Sequence, residues 1–328
     1  MKIVMPHATV LHSGLETEFM TPAQFIEMVG RTCYKSEDKI TEDSAEKFVS
    51  GLIKRAHEAM IEHWTLIFRA PRTTFNLVRD NLWEFTQDIS LDLPDINPHL
   101  RFTYDEDADR YILSGNIRAW RDFMRLAVAA RGYLPAYLRG IVRDNALFFP
   151  EWVEWVPDKF VSDLLQPITV NDLVGRKEHS VHHDVTVKFI CDRGVSHEFV
   201  RHREASFAQE STRYCNYSAD KHGNEISVIM PYTLRKNDAS KAAQASWTGA
   251  NVASEAEYFS MLSEGSTPQD ARSVLTNSLK TEVIITAPLG EWDHIFALRC
   301  APDAHPDMQV SAKQAKAEFV KLFPERYA

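Results

Sequence analysis

Three observations in the sequence predict a mixed α/β (α+β) protein. Residues Val185–Cys191 alternate strictly, with Val185, Val187, Phe189 and Cys191 on one side and Thr186, Lys188 and Ile190 on the other, the period of a strand. Trp64–Phe68 (WTLIF) and Thr281–Thr286 (TEVIIT) are rich in strand formers. Helical signals lie between these runs: Ile117, Trp120, Met124 and Ala127 recur at helical spacing, and Thr21-Pro22-Ala23-Gln24 combines a cap, a first-turn proline and a capping-box glutamine.

In chain order, residues 1–13 read as a first strand, followed by the helix announced at Thr21. A second helix is expected from about Ser44 into the His57 region, with Phe48, Leu52 and Ile53 on its apolar side. Residues 72–184 hold two loop-like acidic stretches, DLPDINPH (92–99) and YDEDAD (104–109), and a helix from about Asn116 to Ala130. Arg118, Arg121 and Arg125 form a basic stripe on that helix, which reads as a solvated face. After the alternating strand, Asp192-Arg193-Gly194 reads as a turn and VSHEFVRHR as a helix carrying Arg201 and Arg203. A loop with Ser206, Gln209, Ser211, Thr212 and Arg213 is expected next. Glu225–Met230 looks like a strand, and a long helix stops near Gly265. Thr267-Pro268 starts another helix. TEVIIT is followed by helices from Glu291 and from about Pro306.

The chain has 328 residues, enough for one large domain or two ordinary ones at roughly 150 residues each. With 44% hydrophobic and 11% aromatic residues it can build a core rather than remain disordered. Lys plus Arg total 37 against 46 Asp plus Glu, a net charge of −9, which argues against a nucleic-acid or anionic-membrane surface but leaves room for a local basic pocket. No apolar run of 18 residues suggests a membrane span, and the start MKIVMPHATV lacks secretory features, so a cytoplasmic protein is expected. Cys33, Cys191, Cys215 and Cys300 are far apart, the pattern of reduced thiols. No metal site is read. His57 and His63 in HEAMIEH are six apart, about 240° around a helix at ~3.6 residues per turn. His179, His182 and His183 lack a carboxylate or cysteine at suggestive spacing.

Chemistry concentrates in 193–217, where Arg193, Arg201, Arg203 and Arg213 accompany His197 and His202 in an otherwise acidic chain. Guanidinium forks suit phosphate oxygens, so this stretch could enclose an anionic ligand; pairing with Glu198, Glu204 and Glu210 on a solvated helix is the plainer alternative. Arg201-His202-Arg203, seven residues and then Ser211 match the R-H-R-x7-S signature of the flavin-dependent thymidylate synthases, with Arg213-Tyr214 fitting beyond it. Arg31-x-Cys33-Tyr34, His57-x4-Glu62-His63, Ala271-Arg272-x-Val274-Leu275, Thr281-Glu282 and Glu291-Trp292-x-His294 with Leu298-Arg299 also resemble that family, in its order. The resemblance covers roughly 1–63 and 185–300.

It implies an antiparallel or mixed sheet flanked by helices, a single domain over 1–328 with an insertion at about 72–184, and a homotetramer with shared active sites. It further implies methylation of dUMP to dTMP, with methylenetetrahydrofolate as one-carbon donor and NADPH-reduced FAD as hydride source. His57, Arg201, His202, Arg203, Gln209 and His294 would contact FAD. Glu198, Arg201, Gln209, Glu210, Ser211, Thr212, Arg213, Arg272 and Arg299 would contact the nucleotide. Arg213 and Arg272 would lie toward phosphate, and Arg299 would favour loss of the uracil N3 proton as a fixed cation. Ser211 is read as a nucleotide contact, because the flavin mechanism needs no protein nucleophile; His202 or His197 would otherwise have to serve as its base.

Four positions depart from the family pattern: Glu198 stands for a glutamine, Ala59 for a serine or threonine, Pro288 for an asparagine and Gly290 for an arginine. Ser114-Gly115-Asn116-Ile117-Arg118-Ala119-Trp120 resembles the altered C-terminal pattern, so Asn116 and Arg118 could replace the missing contacts; an ordinary helix start is the alternative. Glu198 and the altered C-terminal pattern leave open a relative that uses another pyrimidine nucleotide or transfers hydroxymethyl; a non-catalytic flavin- or nucleotide-binding protein is the rival from another class, against which the retained Arg201, Arg203, Arg213, Arg272 and Arg299 argue.

Overall fold

The computed structural model describes residues 1–16, 20–76, 78, 97–159, 164–218 and 223–328. The strongest strand signal in the sequence forms the centre of the first sheet. Strand β7 (Asp184–Asp192) pairs antiparallel with β2 (His7–His12) on one side and β10 (Lys280–Pro288) on the other, and β8 (Ser206–Gln209) completes the order β2-β7-β10-β8. Residues 281–288 are buried on both faces of β10, which suits the apolar Val283-Ile284-Ile285 run at its centre. On one face Val187, Phe189, Val283 and Ile285 pack with Trp292 and Phe296 of α8 (Leu289–Arg299) and Phe319 of α9 (Pro306–Leu322). On the other, Ala208 and Ile284 meet Phe25, Val29 and Cys33 of α1 (Pro22–Tyr34). Helix α1 begins with the expected capping box between Thr21 and Gln24.

A second antiparallel sheet has the order β4-β5-β3-β6, from β3 (Thr65–Pro71), β4 (Arg101–Asp105), β5 (Arg110–Asn116) and β6 (Gln166–Ile168). Its core joins Phe68 and Leu113 to Trp120, Phe123 and Met124 of α3 (Ile117–Arg131) and to Leu138 and Ile141 of α4 (Ala136–Asp144). Val49 and Leu52 of α2 (Ser44–Lys54) belong to the same cluster, so residues 97–159 pack against the N-terminal helices. YDEDAD forms the tip of the β4–β5 hairpin; of DLPDINPH, residues 92–96 lie outside the described residues. A parallel pair, β1 (Lys2–Val4) with β9 (Ser227–Ile229), packs near the long helix α6 (Lys241–Ser263), which is followed by the short α7 (Pro268–Ala271).

Several expectations change. Residues 1–13 form two strands, because Pro6 removes a backbone donor and β1 and β2 join different sheets. Helix α2 stops at Lys54: Ala56 is left-handed (φ 54), and Glu58–His63 is a 3₁₀ stretch rather than a continuation. No turn separates β7 from the next helix, because the Asp192 side chain caps α5 (Arg193–Phe199) directly by accepting from Val195 N at 2.9 Å. That helix ends at Phe199, so Arg201–Arg203 lie in the turn beyond it, and Ser206–Gln209 is strand rather than loop. Glu225–Met230 contributes only the three residues of β9. The basic stripe on α3 is not a solvated face: Arg121 is 0% exposed and bonded to two glutamates.

Candidate functional site

The turn after α5 drives His202 inward against α8. Its Nδ1 lies 2.9 Å from Glu291 Oε1, and its Nε2 accepts from Arg299 Nε at 3.1 Å. An arginine can only donate, so Nε2 is the acceptor and the imidazole proton sits on Nδ1, directed at Glu291. Arg299 also donates through Nη1 to Glu198 Oε2 (2.9 Å) and through Nη2 to the Glu198 carbonyl (2.8 Å). The carboxylate that replaces the family's glutamine is therefore neutralised by the arginine expected to face uracil. His294, exposed on α8, meets the His202 ring edge-on at 5.5 Å. Ligand atoms of His202, Glu291 and His294 lie within 4.8 Å of one another, yet an ion there would have to displace the Glu291–His202–Arg299 bonds.

Arg201 and Arg203 flank His202, are exposed, and their side chains make no hydrogen bond or ion pair among the described residues. Two exposed guanidiniums on either side of His202 suit a dianionic group such as a diphosphate. The altered pattern is open here too: a side chain at Gly290 would enter empty space, and Pro288 gives α8 no side-chain cap. The fit to FAD is thus kept in charge, while the two family contacts at 288 and 290 are absent.

The remaining candidates gather at the end of β8. Gln209 Nε2 donates to Ser196 Oγ (2.9 Å) on α5 and to Thr281 Oγ1 (3.1 Å) on β10. Glu210 points into a buried ion cluster, 2.9 Å from Lys280 Nζ; Glu282 there accepts from both Lys35 and Lys280 at 2.6 Å. Burial alone would raise the Glu282 carboxyl, but the two ammonium groups outweigh it and hold it at about 2. Ser211 N donates to Cys33 O (2.9 Å), and its hydroxyl has no histidine partner among the described residues, so no nucleophile–base pair is assembled. Thr212 Oγ1 accepts from Arg272 Nη1 (3.1 Å), while Arg213 Nε and Arg272 Nε both donate to Gln269, each at 3.1 Å. Gln269 is the second residue of a proline-started helix, a position that carries no chemical signal in the sequence. His57 is exposed, its Nδ1 3.4 Å from Tyr34 Oη, and the Tyr34 ring packs edge-on against Tyr214 at 5.3 Å.

Asn116 and Arg118 are engaged elsewhere. The Asn116 side chain caps α3 by accepting from Ala119 N (2.8 Å), and Arg118 pairs with Glu62 (2.6 Å), so the ordinary helix start is the arrangement observed. The three histidines at 179–183 also have local roles. His179 and His182 share Thr103 Oγ1 at 2.6 and 2.9 Å, His182 reaches Ser114 at 2.7 Å, and His183 reaches the Ser13 carbonyl at 2.6 Å.

Residues 164–325 match the family model described as thymidylate synthase complementing protein. A flavin-dependent thymidylate synthase of Pyrococcus furiosus is 27% identical over 180 residues, covering 52% of this chain and 70% of that protein. Another from Geobacter sulfurreducens is 30% identical over 120 residues, covering 37% of this chain and 49% of its own length. A crystal structure of the UMP/dUMP methylase PolB from Streptomyces cacaoi, bound with 5-Br UMP, aligns with a TM-score of 0.37 and 23% identity, over 44% of this chain and 71% of that one.

Proposed function

Because the chain belongs to the thymidylate synthase complementing protein family through residues 164–325, we propose that it is a flavin-dependent thymidylate synthase, methylating dUMP to dTMP. Bound FAD, reduced by NADPH, would supply the hydride, and methylenetetrahydrofolate the carbon. The observation that carries this reading is the pair of exposed, unopposed guanidiniums at Arg201 and Arg203 on either side of a histidine locked by Glu291 and Arg299.

In this reading Arg201 and Arg203 hold the flavin diphosphate by charge-assisted bonds, with His57, His202, Gln209 and His294 around the ring system. Arg213 and Arg272, already oriented by Gln269, take the nucleotide phosphate, and Ser211 and Thr212 add hydrogen bonds. Arg299 is the catalytic group: as a permanent cation beside the base it stabilises the anion left when N3 loses its proton. To do so it must share or release Glu198, which makes Glu198 the specificity-setting partner of the site. A homotetramer with shared sites and a single domain with the 72–184 insertion complete the proposal. No helix among the described residues is long and apolar enough to cross a membrane.

The Glu198–Arg299 pair also favours a second reading, in which a different pyrimidine nucleotide is the substrate. Both are tested by recording the flavin spectrum of the purified protein and then analysing products from dUMP, UMP and dCMP with methylenetetrahydrofolate and NADPH. Methylated dUMP alone supports the first reading. Preferential turnover of UMP or dCMP, or a hydroxymethyl product, supports the second, and a colourless protein without turnover removes both.

A further inference from the structure

We infer that the arginine face of α3 is a clamp that positions the Glu58–His63 segment, and with it His57, toward the flavin site; the inference rests on the flavin reading above. Arg118, Arg121 and Arg125 are spaced three and four apart, so they project from one face of the helix. All three reach the same six-residue segment. Arg118 Nη1 donates to Glu62 Oε1 at 2.6 Å, Arg121 Nε to Glu58 Oε1 at 3.1 Å, and Arg125 Nη1 to Glu58 Oε2 at 2.8 Å. The backbone adds a fourth tie, from Ile117 N to Trp64 O at 3.0 Å.

A 3₁₀ stretch has poor internal hydrogen bonding, so its placement depends on what holds it from outside. On its far side the segment is fixed to the first sheet, where His63 Nδ1 meets Thr286 Oγ1 at 2.7 Å. The clamp therefore spans the two sheets, and His57 begins the segment at the end that faces Tyr34 and Tyr214. Arg121 is tied to the rest of its region as well. It donates to the Phe148 carbonyl and to Glu151 (3.0 Å from Nη1), with its guanidinium 5.6 Å from the Trp152 ring. Burial would raise the Glu58 carboxyl, but its hydrogen bonds to Arg125 and Arg121 and their charge outweigh that and keep it ionised.

The two carboxylates on Arg121 separate positioning from mere stability. Glu58→Gln loosens the motif segment and leaves Arg121 with Glu151; Glu151→Gln loosens only the side of α3 away from the site. FAD titration of the purified protein should show at least 5-fold weaker binding for Glu58→Gln and a change of less than 2-fold for Glu151→Gln. Both should melt earlier than the parent. Amide hydrogen exchange at residues 57–64 should rise in Glu58→Gln alone. Unchanged FAD affinity in Glu58→Gln, or equal loss in both variants, overturns the clamp. If Glu58→Gln does not fold, Glu62→Gln at the partly exposed rim is read the same way. If the parent itself binds no FAD, the flavin reading fails, and the clamp stands or falls on exchange alone: no extra exchange at 57–64 in Glu58→Gln relative to Glu151→Gln overturns it.

Discussion

Arginine is used in opposite ways in two regions of this molecule. On α3, Arg118, Arg121 and Arg125 all end on carboxylates, and Arg121 is fully buried. In the turn beyond α5, Arg201 and Arg203 stand exposed with no partner among the described residues. The first set is satisfied by the fold and holds it together; the second meets no carboxylate among the described residues and stays open to a ligand. Residue type alone does not distinguish them. The distinction lies in whether acidic groups converge on the guanidinium from distant parts of the chain.

That contrast is broken most forcefully at Arg121. Arg121→Leu takes from Glu58 one of its two arginines and leaves Glu151 without its partner, and we expect a loss of about 2–3 kcal/mol, read by denaturant unfolding. Arg201→Ala should cost less than about 0.5 kcal/mol in the same assay, yet weaken FAD binding by roughly 10-fold or more. If Arg201→Ala destabilised the protein as much as Arg121→Leu, the two clusters would not differ in role.

Acid titration should separate the seam between the sheets from the first sheet. Burial pushes His63 and His182 down to about 3 from an ordinary 6.5. Between those values the unfolded chain binds protons that the folded chain refuses, so stability is full above pH 6.5 and falls as the pH drops toward 3. The slope approaches about 1.4 kcal/mol per pH unit for each histidine. Glu282, held at about 2 against 4.5, adds its own loss only below about pH 4.5. Replacing His182 with Gln should flatten the curve between pH 6.5 and about 3 and leave it unchanged below that; a slope unchanged above pH 4.5 would show that His182 does not stay neutral.

The smallest effect is expected at Ser211. Without a histidine beside it, Ser211→Ala should lose one ligand hydrogen bond, about 1 kcal/mol or 5-fold in nucleotide affinity, with kcat nearly intact. Abolished turnover with normal dUMP and FAD binding would restore the nucleophile reading.

Much of this was visible in the sequence where the signal was local. The Thr21–Gln24 box, the alternation at Val185–Cys191 and the apolar face of α3 each depend on neighbours within a few residues. The arginine-rich signature marked the turn that carries His202, although not that the helix would end before it. What escaped the sequence depends on remote partners. Arg121 sits on the polar side of its helix by periodicity and is buried only because Glu58 and Glu151, 63 and 30 residues away, come to meet it. The Lys35–Glu210–Lys280–Glu282 cluster likewise draws on three separate elements. Glu198 could be recognised as a departure, but its pairing with Arg299 across 101 residues could not.

The strand order has a consequence for how the chain is made. The second sheet draws only on residues 65–168, so its strands can pair as soon as Ile168 has left the ribosome. Strand β2 ends at His12, but its neighbour β7 begins at Asp184. At ~5–20 residues per second of synthesis, β2 waits roughly 10–30 s for that neighbour. The candidate site, whose flanking strands β8 and β10 come later still, can assemble only after every strand of the second sheet has been made.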